Sequence, residues 1–335
     1  MPLMNSLLHI TAFRNPLLRT LVPSVALAYT IQAAVAVPSI AARSERFYDL
    51  SGSLTYLSCT ALSLFLPYLR ARASNAASSG LVEYLRAPAP GQSLWFWRQA
   101  VLSAAVGIWA TRLGTYLFKR ITDDGHDSRF DRIRGSPSSF FAAFMAQATW
   151  VSLCLMPVVA VNALPRSTFQ LYRFKNSGDA FSLLSRSPYL TDVIGIGLFI
   201  FGLAFEVKAD RQKAQWSREK KEKKHNDEFL TGGLWSRSRH PNYFGEITLW
   251  TGIAVAAGGL LVRYPAQVGF GFSGGLGGRL VVLGMAAVSP AFVTFLLTKV
   301  SGIPLSEKKY DKKYGEQKDY QEWKKNTPML VPKLW

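Results

Sequence analysis

The chain has 335 residues, 49% of them hydrophobic, and a formal net charge of +18 from 39 Lys and Arg against 21 Asp and Glu. In a soluble protein that charge would suggest nucleic acid; here the basic residues sit between and after long apolar runs, as in cytoplasmic loops of membrane proteins, which argues for a membrane and no nucleic acid as partner. Cys59 and Cys154 lie inside apolar runs without a CxxC neighbour, so they read as small buried hydrophobes, not as a disulfide, metal site or nucleophile.

The first acidic residue is Glu45, whereas Arg14, Arg19 and Arg43 precede it. Such a start reads as the lead-in to a first span, with a mitochondrial presequence as the alternative. The endoplasmic reticulum is accordingly the favoured location and the mitochondrial membrane the other one.

A span needs about 20 apolar residues. Seven runs qualify, at 21–42, 53–69, 94–118, 140–164, 190–207, 243–262 and 280–300. They predict an all-α polytopic membrane bundle of about seven transmembrane helices with a short C-terminal amphipathic tail. The expected division is an N-terminal membrane segment of two spans and a loop at 1–92 and a larger membrane domain at 93–335. Pro23 and Pro38 bracket or kink the first span. Arg98 and Arg112 in the third should face protein or a polar cavity, because charge in lipid is costly.

Loop charge sets the orientation. The loop with Arg43 and Arg46, the loops 119–134 and 208–239, and the tail from Ser301 hold most of the Lys and Arg. Fewer positives, among them Arg70, Arg72, Arg86, Arg166, Arg173, Lys175 and Arg186, fall on the other face. The basic segments and the C-terminus are therefore expected in the cytoplasm, with the N-terminus opposite. Residues 71–91 and the glycine-rich 263–278 read as linkers. Gly269, Gly271 and Gly274 satisfy G-x-G-x-x-G, but between two spans this is a turn and not a dinucleotide fingerprint.

Four polar constellations follow in chain order. Thr122 to Asp131 is dense in aspartate but lacks EF-hand spacing, so it reads as a polar turn over a cytoplasmic pocket, and no metal is expected. Glu206, Asp210 and Lys213 fall at i, i+4 and i+7, one stripe at the end of the fifth span. Alone, that stripe reads as plain ion pairing. Residues 236–246 crowd Arg237, Arg239, His240, Asn242, Tyr243 and Glu246 around the start of an apolar helix, with Pro241 suited to its first position. A helix N-terminus flanked by arginines suits an anion such as phosphate. Asn242 and Glu246, four apart, share the next turn. In the tail, Glu307, Tyr310 and further aromatics alternate with lysines, which suits either a membrane-surface segment or a lid.

Together these blocks resemble membrane proteins with a steroid 5-alpha-reductase-like C-terminal domain, in particular the uncharacterised branch of the 3-oxo-5-alpha-steroid 4-dehydrogenase family. The resemblance spans roughly residue 94 to the C-terminus. Its most specific pieces are Glu206-x-x-x-Asp210-x-Gln212-Lys213, Gly233-Leu234-Trp235, Arg239-His240-Pro241-Asn242-Tyr243-Phe244-Gly245-Glu246 and Gly302-x-Pro304-x-x-Glu307. It implies a membrane oxidoreductase that binds NADPH from the cytoplasm and delivers hydride to a carbon–carbon double bond of a lipid-like substrate, such as an enone. Glu206, Asp210, Lys213, Arg239, His240, Asn242, Tyr243, Glu246, Glu307 and Tyr310 are the implied cofactor-binding residues. Tyr116 and Asp127 are the candidate catalytic proton donors. The steroid enzymes' carbonyl-polarising Glu and Tyr find no matching position, so a steroid substrate is not implied. Arg-His-Pro-x-Tyr also resembles isoprenylcysteine and phospholipid methyltransferases, which bind S-adenosylmethionine. A methyltransferase and a non-catalytic lipid-binding protein are therefore the alternatives, and no feature identifies a protein partner.

Overall fold

A computed structural model of the protein describes residues 6, 8–73, 95–164 and 188–333. The regular structure among these residues is helical, with no strand. The helices are α1 (Pro16–Ala41), α2 (Tyr48–Ala73), α3 (Trp95–Asp124), α4 (Pro137–Asn162), α5 (Leu190–Lys221), α6 (Pro241–Leu261), α7 (Tyr264–Gly269), α8 (Leu276–Phe295), α9 (Gly302–Tyr314) and α10 (Lys318–Asn326). Among the described residues, seven helices are long and apolar enough to cross a membrane, so the protein is an all-α, multi-pass integral membrane protein. Helix α5 continues well past the apolar run ending at 207, because Lys, Arg, Glu, Gln and Ala propagate a helix in water once it has left lipid. Apart from 71–73, which continue α2, the linker expected at 71–91 lies outside the described residues, as do Arg86, Arg166, Arg173, Lys175 and Arg186.

The chain divides into two compact units, residues 1–193 with 255–289, and residues 194–254 with 290–335. In the first, α1 packs chiefly on α4, and α2 on α3. Trp109, Tyr56, Phe140 and Phe144 are fully buried there. Lipid offers polar groups no partners, so they must pair within the protein. Gln32 Nε2 donates to Thr55 Oγ1 at 2.8 Å, and Asn162 Nδ2 to Ser63 Oγ at 2.9 Å. Arg98 and Asp192, each 2% exposed, pair with Nη2 2.7 Å from Oδ2. The Arg98 guanidinium lies 4.2 Å from the Tyr189 ring centre and 4.6 Å from that of Trp97. The expectation that Arg98 faces protein is met. Both cysteines are buried and outside any disulfide.

The turn after α3 is bound to the turn between α1 and α2. Asp127 caps a short 3-10 turn (Ser128–Phe130), and its own N–H donates to Glu45 Oε1 at 2.9 Å. Arg129 Nη2 bridges Asp49 and Asp127 at 2.8 and 2.7 Å. The loops carrying Arg43 and Arg46 and residues 119–134 thus lie on one face of this unit. The G-x-G-x-x-G sequence joins α7 to α8 as a turn, with Gly271 and Gly274 at φ 83° and 80°.

In the second unit, α5 and α6 approach until their backbones touch. A Cβ on Gly245 would stand 2.6 Å from the Glu206 backbone nitrogen, and one on Gly202 2.5 Å from that of Leu249. Gly252 meets Gly195 and Phe199 in the same way. Two glycines seven apart on each helix make a groove into which the other backbone fits, the small-residue packing that replaces hydrophobic driving force in lipid.

Candidate functional site

The second unit carries a cleft with about 640 Å³ of empty volume, counting the part open to solvent. Its wall comes from three separate stretches of chain: the end of α5, the segment entering α6, and the tail helices α9 and α10. Each stretch is fixed locally. Gly233, at φ 63°, lets residues 232–236 turn tightly against Gln212, whose Oε1 accepts from Leu234 N at 3.0 Å. Trp235 then donates from Nε1 to the Ala209 carbonyl at 3.1 Å. His240 precedes α6, which begins at Pro241 as its missing N–H predicts. Ser238 Oγ accepts from His240 N at 3.1 Å and donates to the Leu330 carbonyl at 2.8 Å.

At the centre is Glu307. Its Oε1 lies 2.8 Å from His240 Nε2 and 3.4 Å from Arg239 Nε, and its Oε2 lies 3.3 Å from Lys324 Nζ. An ionised carboxylate can only accept, so His240 donates from Nε2. Burial pushes the His240 pKa down, and the Glu307 carboxylate only partly restores it, so the imidazole is neutral at pH 7. One carboxylate therefore faces two fixed cations, Arg239 and Lys324. Lys213 adds a third, its Nζ 5.4 Å from the Trp235 ring centre. The His240 and Tyr243 rings stack at 5.6 Å.

Lys213, Arg239, His240, Asn242, Tyr243, Glu307 and Tyr310 all line this cleft, so seven residues singled out in sequence meet around one space. Glu206, Asp210 and Glu246 belong to the same unit and are buried at 2%, 5% and 9% exposure, but they are not among the residues lining the cleft. The Gly245–Glu206 contact puts the backbone of Glu206 beside that of the residue preceding Glu246. Arg237 is exposed and off the cleft wall. Tyr116 and Asp127 belong to the first unit. Tyr116 is half-buried with the Arg112 guanidinium 5.7 Å from its ring centre. Burial opposes charge on Asp127, but hydrogen bonds and attraction from Arg129 and Arg120 outweigh it and hold its carboxyl below the usual range.

The sequence reading missed Trp216 and Trp323 in the aromatic part of the wall, while Trp235 and Tyr320, named there in Gly233-Leu234-Trp235 and among the tail aromatics, also line it. Trp216 lies three residues beyond Lys213 on α5, and that helical spacing was the available signal. Three polar atoms at the wall are buried without a hydrogen-bond partner: Asn242 Oδ1, an acceptor, and the donors Trp216 Nε1 and Arg239 Nε, the last 3.4 Å from Glu307 Oε1.

An integral membrane protein with a cationic, aromatic cleft at the start of a spanning helix is thus defined. The chain belongs to the family described as protein of unknown function (DUF1295), whose model matches residues 77–266 and 278–327 and so includes every residue lining the cleft. No curated protein and no solved structure matches the chain.

Proposed function

We propose that the protein is a membrane-embedded reductase, related to the steroid 5-alpha-reductase-like group, that uses NADPH to reduce a carbon–carbon double bond of a lipid-like substrate. The observation that carries this reading is the convergence of Lys213, Arg239, His240, Asn242, Tyr243, Glu307 and Tyr310 on one cleft. The donor set suits a phosphorylated cofactor. Arg239 and Lys213 put positive charge on the cleft wall beside the Glu307 carboxylate. Trp216 and Trp235 offer ring faces, and Asn242 Oδ1 and Trp216 Nε1 lack partners that a polar ligand would supply.

In this reading Arg239, Lys213 and the Trp216 N–H hold phosphate oxygens. Asn242 accepts from a hydroxyl or amide N–H of the same ligand. Glu307 keeps Arg239 and His240 oriented when the cleft is empty and gives up part of its contact with Arg239 when an anion arrives. Bound NADPH would supply hydride. Of the two proton donors expected from sequence, Asp127 is held ionised by Arg129 and is poorly suited to the role. The cleft and tail lie on the cytoplasmic side, and the endoplasmic reticulum is the favoured membrane.

A ligand that binds only the folded state raises its melting temperature in proportion to RT ln(1 + [L]/Kd). Purified protein in detergent is expected to be stabilised by NADPH and not by S-adenosylmethionine. Stabilisation by S-adenosylmethionine alone would make the protein a methyltransferase, and stabilisation by neither would favour a non-catalytic lipid-binding role.

A further inference from the structure

The last described residues are tied to the cleft in a specific way. The carbonyl of Pro328 accepts from Arg239 N at 2.9 Å, and Lys333 N donates to the Arg237 carbonyl at 3.0 Å. With the Ser238 Oγ bond to Leu330, residues 327–333 run as a strap, bent at 327 and 329–331, along the segment 237–239. Leu330 is half-buried, while Met329 and Val331 are 42% and 66% exposed.

The depth of this strap follows from its partner. Segment 237–239 stops two residues before Pro241, where the apolar span α6 begins. It therefore lies at the boundary between water and lipid, and a strap hydrogen-bonded to it lies there too. Two outward apolar side chains at that depth meet the headgroup and upper acyl region, not bulk water. The charged neighbours complement one kind of headgroup: Arg237, Lys325 and Lys333 are all exposed beside the strap. Lys333 Nζ uses one donor on the Asn326 carbonyl, at 3.1 Å, and keeps two for other acceptors.

We propose that residues 327–333 form an interfacial strap that docks on anionic phospholipid headgroups, Met329 and Val331 entering the headgroup layer while Lys325, Lys333 and Arg237 meet phosphate and carboxylate. Docking holds Pro328 and Leu330 against Arg239 and Ser238, and so braces the wall of the cleft. The proposal does not depend on which ligand the cleft takes.

The test uses the intact protein in nanodiscs of phosphatidylcholine alone, or of phosphatidylcholine mixed with phosphatidylserine. Amide hydrogen exchange is followed over 327–333. Exchange is expected to slow several-fold in the anionic discs. Met329→Ser with Val331→Ser, and separately Lys325→Gln with Lys333→Gln, should each remove most of that difference. Equal rates in the two lipids would overturn the proposal, as would an unchanged difference in both double variants. Protection that appears in detergent and grows with protein concentration would also overturn it, because the strap would then be binding a second copy.

Discussion

Two clusters of charge, one in each unit, differ in how they are closed. Arg98 and Asp192 form a sealed pair, their side chains 3% exposed, with the guanidinium between two aromatic rings. Around Glu307, one carboxylate is shared by His240, Arg239 and Lys324 at the wall of an open cleft, with its side chain 18% exposed. A sealed pair has one arrangement and serves the fold. A carboxylate shared among several partners at an open cleft can be rearranged by an incoming anion. Charge buried near lipid is thus informative only once its partners are counted.

The largest effect is expected where the sealed pair is broken. Asp192→Ala removes the buried carboxylate that faces Arg98 and should cost about 3–5 kcal/mol. Unfolding of the detergent-solubilised protein measures it, and the double variant Arg98→Met, Asp192→Leu should recover most of the loss. Glu307→Gln, by contrast, should change stability far less and shift ligand affinity. Comparable losses from Asp192→Ala and Glu307→Gln would erase the distinction between the two clusters.

Next in size is the helix crossing under the cleft. Gly245→Ala places a methyl against the backbone of Glu206 and should cost about 1–3 kcal/mol through overpacking. The same substitution at Gly284, where nothing lies near, should be neutral within error.

These two clusters also show what the sequence could and could not convey. Seven spans were legible because apolar runs of the right length have few other uses, and Arg98 could be assigned to the protein interior because lipid would not tolerate it. Its partner Asp192 was not foreseen, since nothing local links residues ninety-four apart in the chain. At the cleft, residues 239–243 were readable from the helix-start pattern, and Glu307 from the family resemblance. The close crossing of α5 and α6 was not legible, because the seven-residue spacings Gly195–Gly202 and Gly245–Gly252 mark a small-residue stripe without naming the helix that fills it. Glu206, Asp210 and Glu246 share α5 and α6 with residues of the cleft wall, yet are not among the lining; spacing gives a helix face but not the depth at which that face is covered.

A smaller effect separates the clusters by ligand. Asn242→Ala removes the unpartnered acceptor at the wall and should weaken NADPH binding about tenfold, which is about 1.4 kcal/mol, with little change in the unliganded melting temperature. The smallest concerns pH. Burial holds the His240 pKa below 6.5, so under acid conditions the unfolded chain binds a proton that the folded chain does not. Stability should therefore fall as pH drops from about 6.5 towards the folded value, and His240→Gln should flatten that slope. A melting temperature that rises on acidification through this window in the wild type, and not in His240→Gln, would reverse the assignment.

The central claim is that the cleft takes a phosphorylated nicotinamide cofactor, and its tryptophans provide the reporter. Trp216, Trp235 and Trp323 line the space, so tryptophan excitation should sensitise nicotinamide emission from bound NADPH. In detergent, that emission should rise to saturation with NADPH, resist competition by S-adenosylmethionine, and weaken strongly in Arg239→Ala. No sensitised emission, together with melting-temperature stabilisation by S-adenosylmethionine but not by NADPH, would contradict the account.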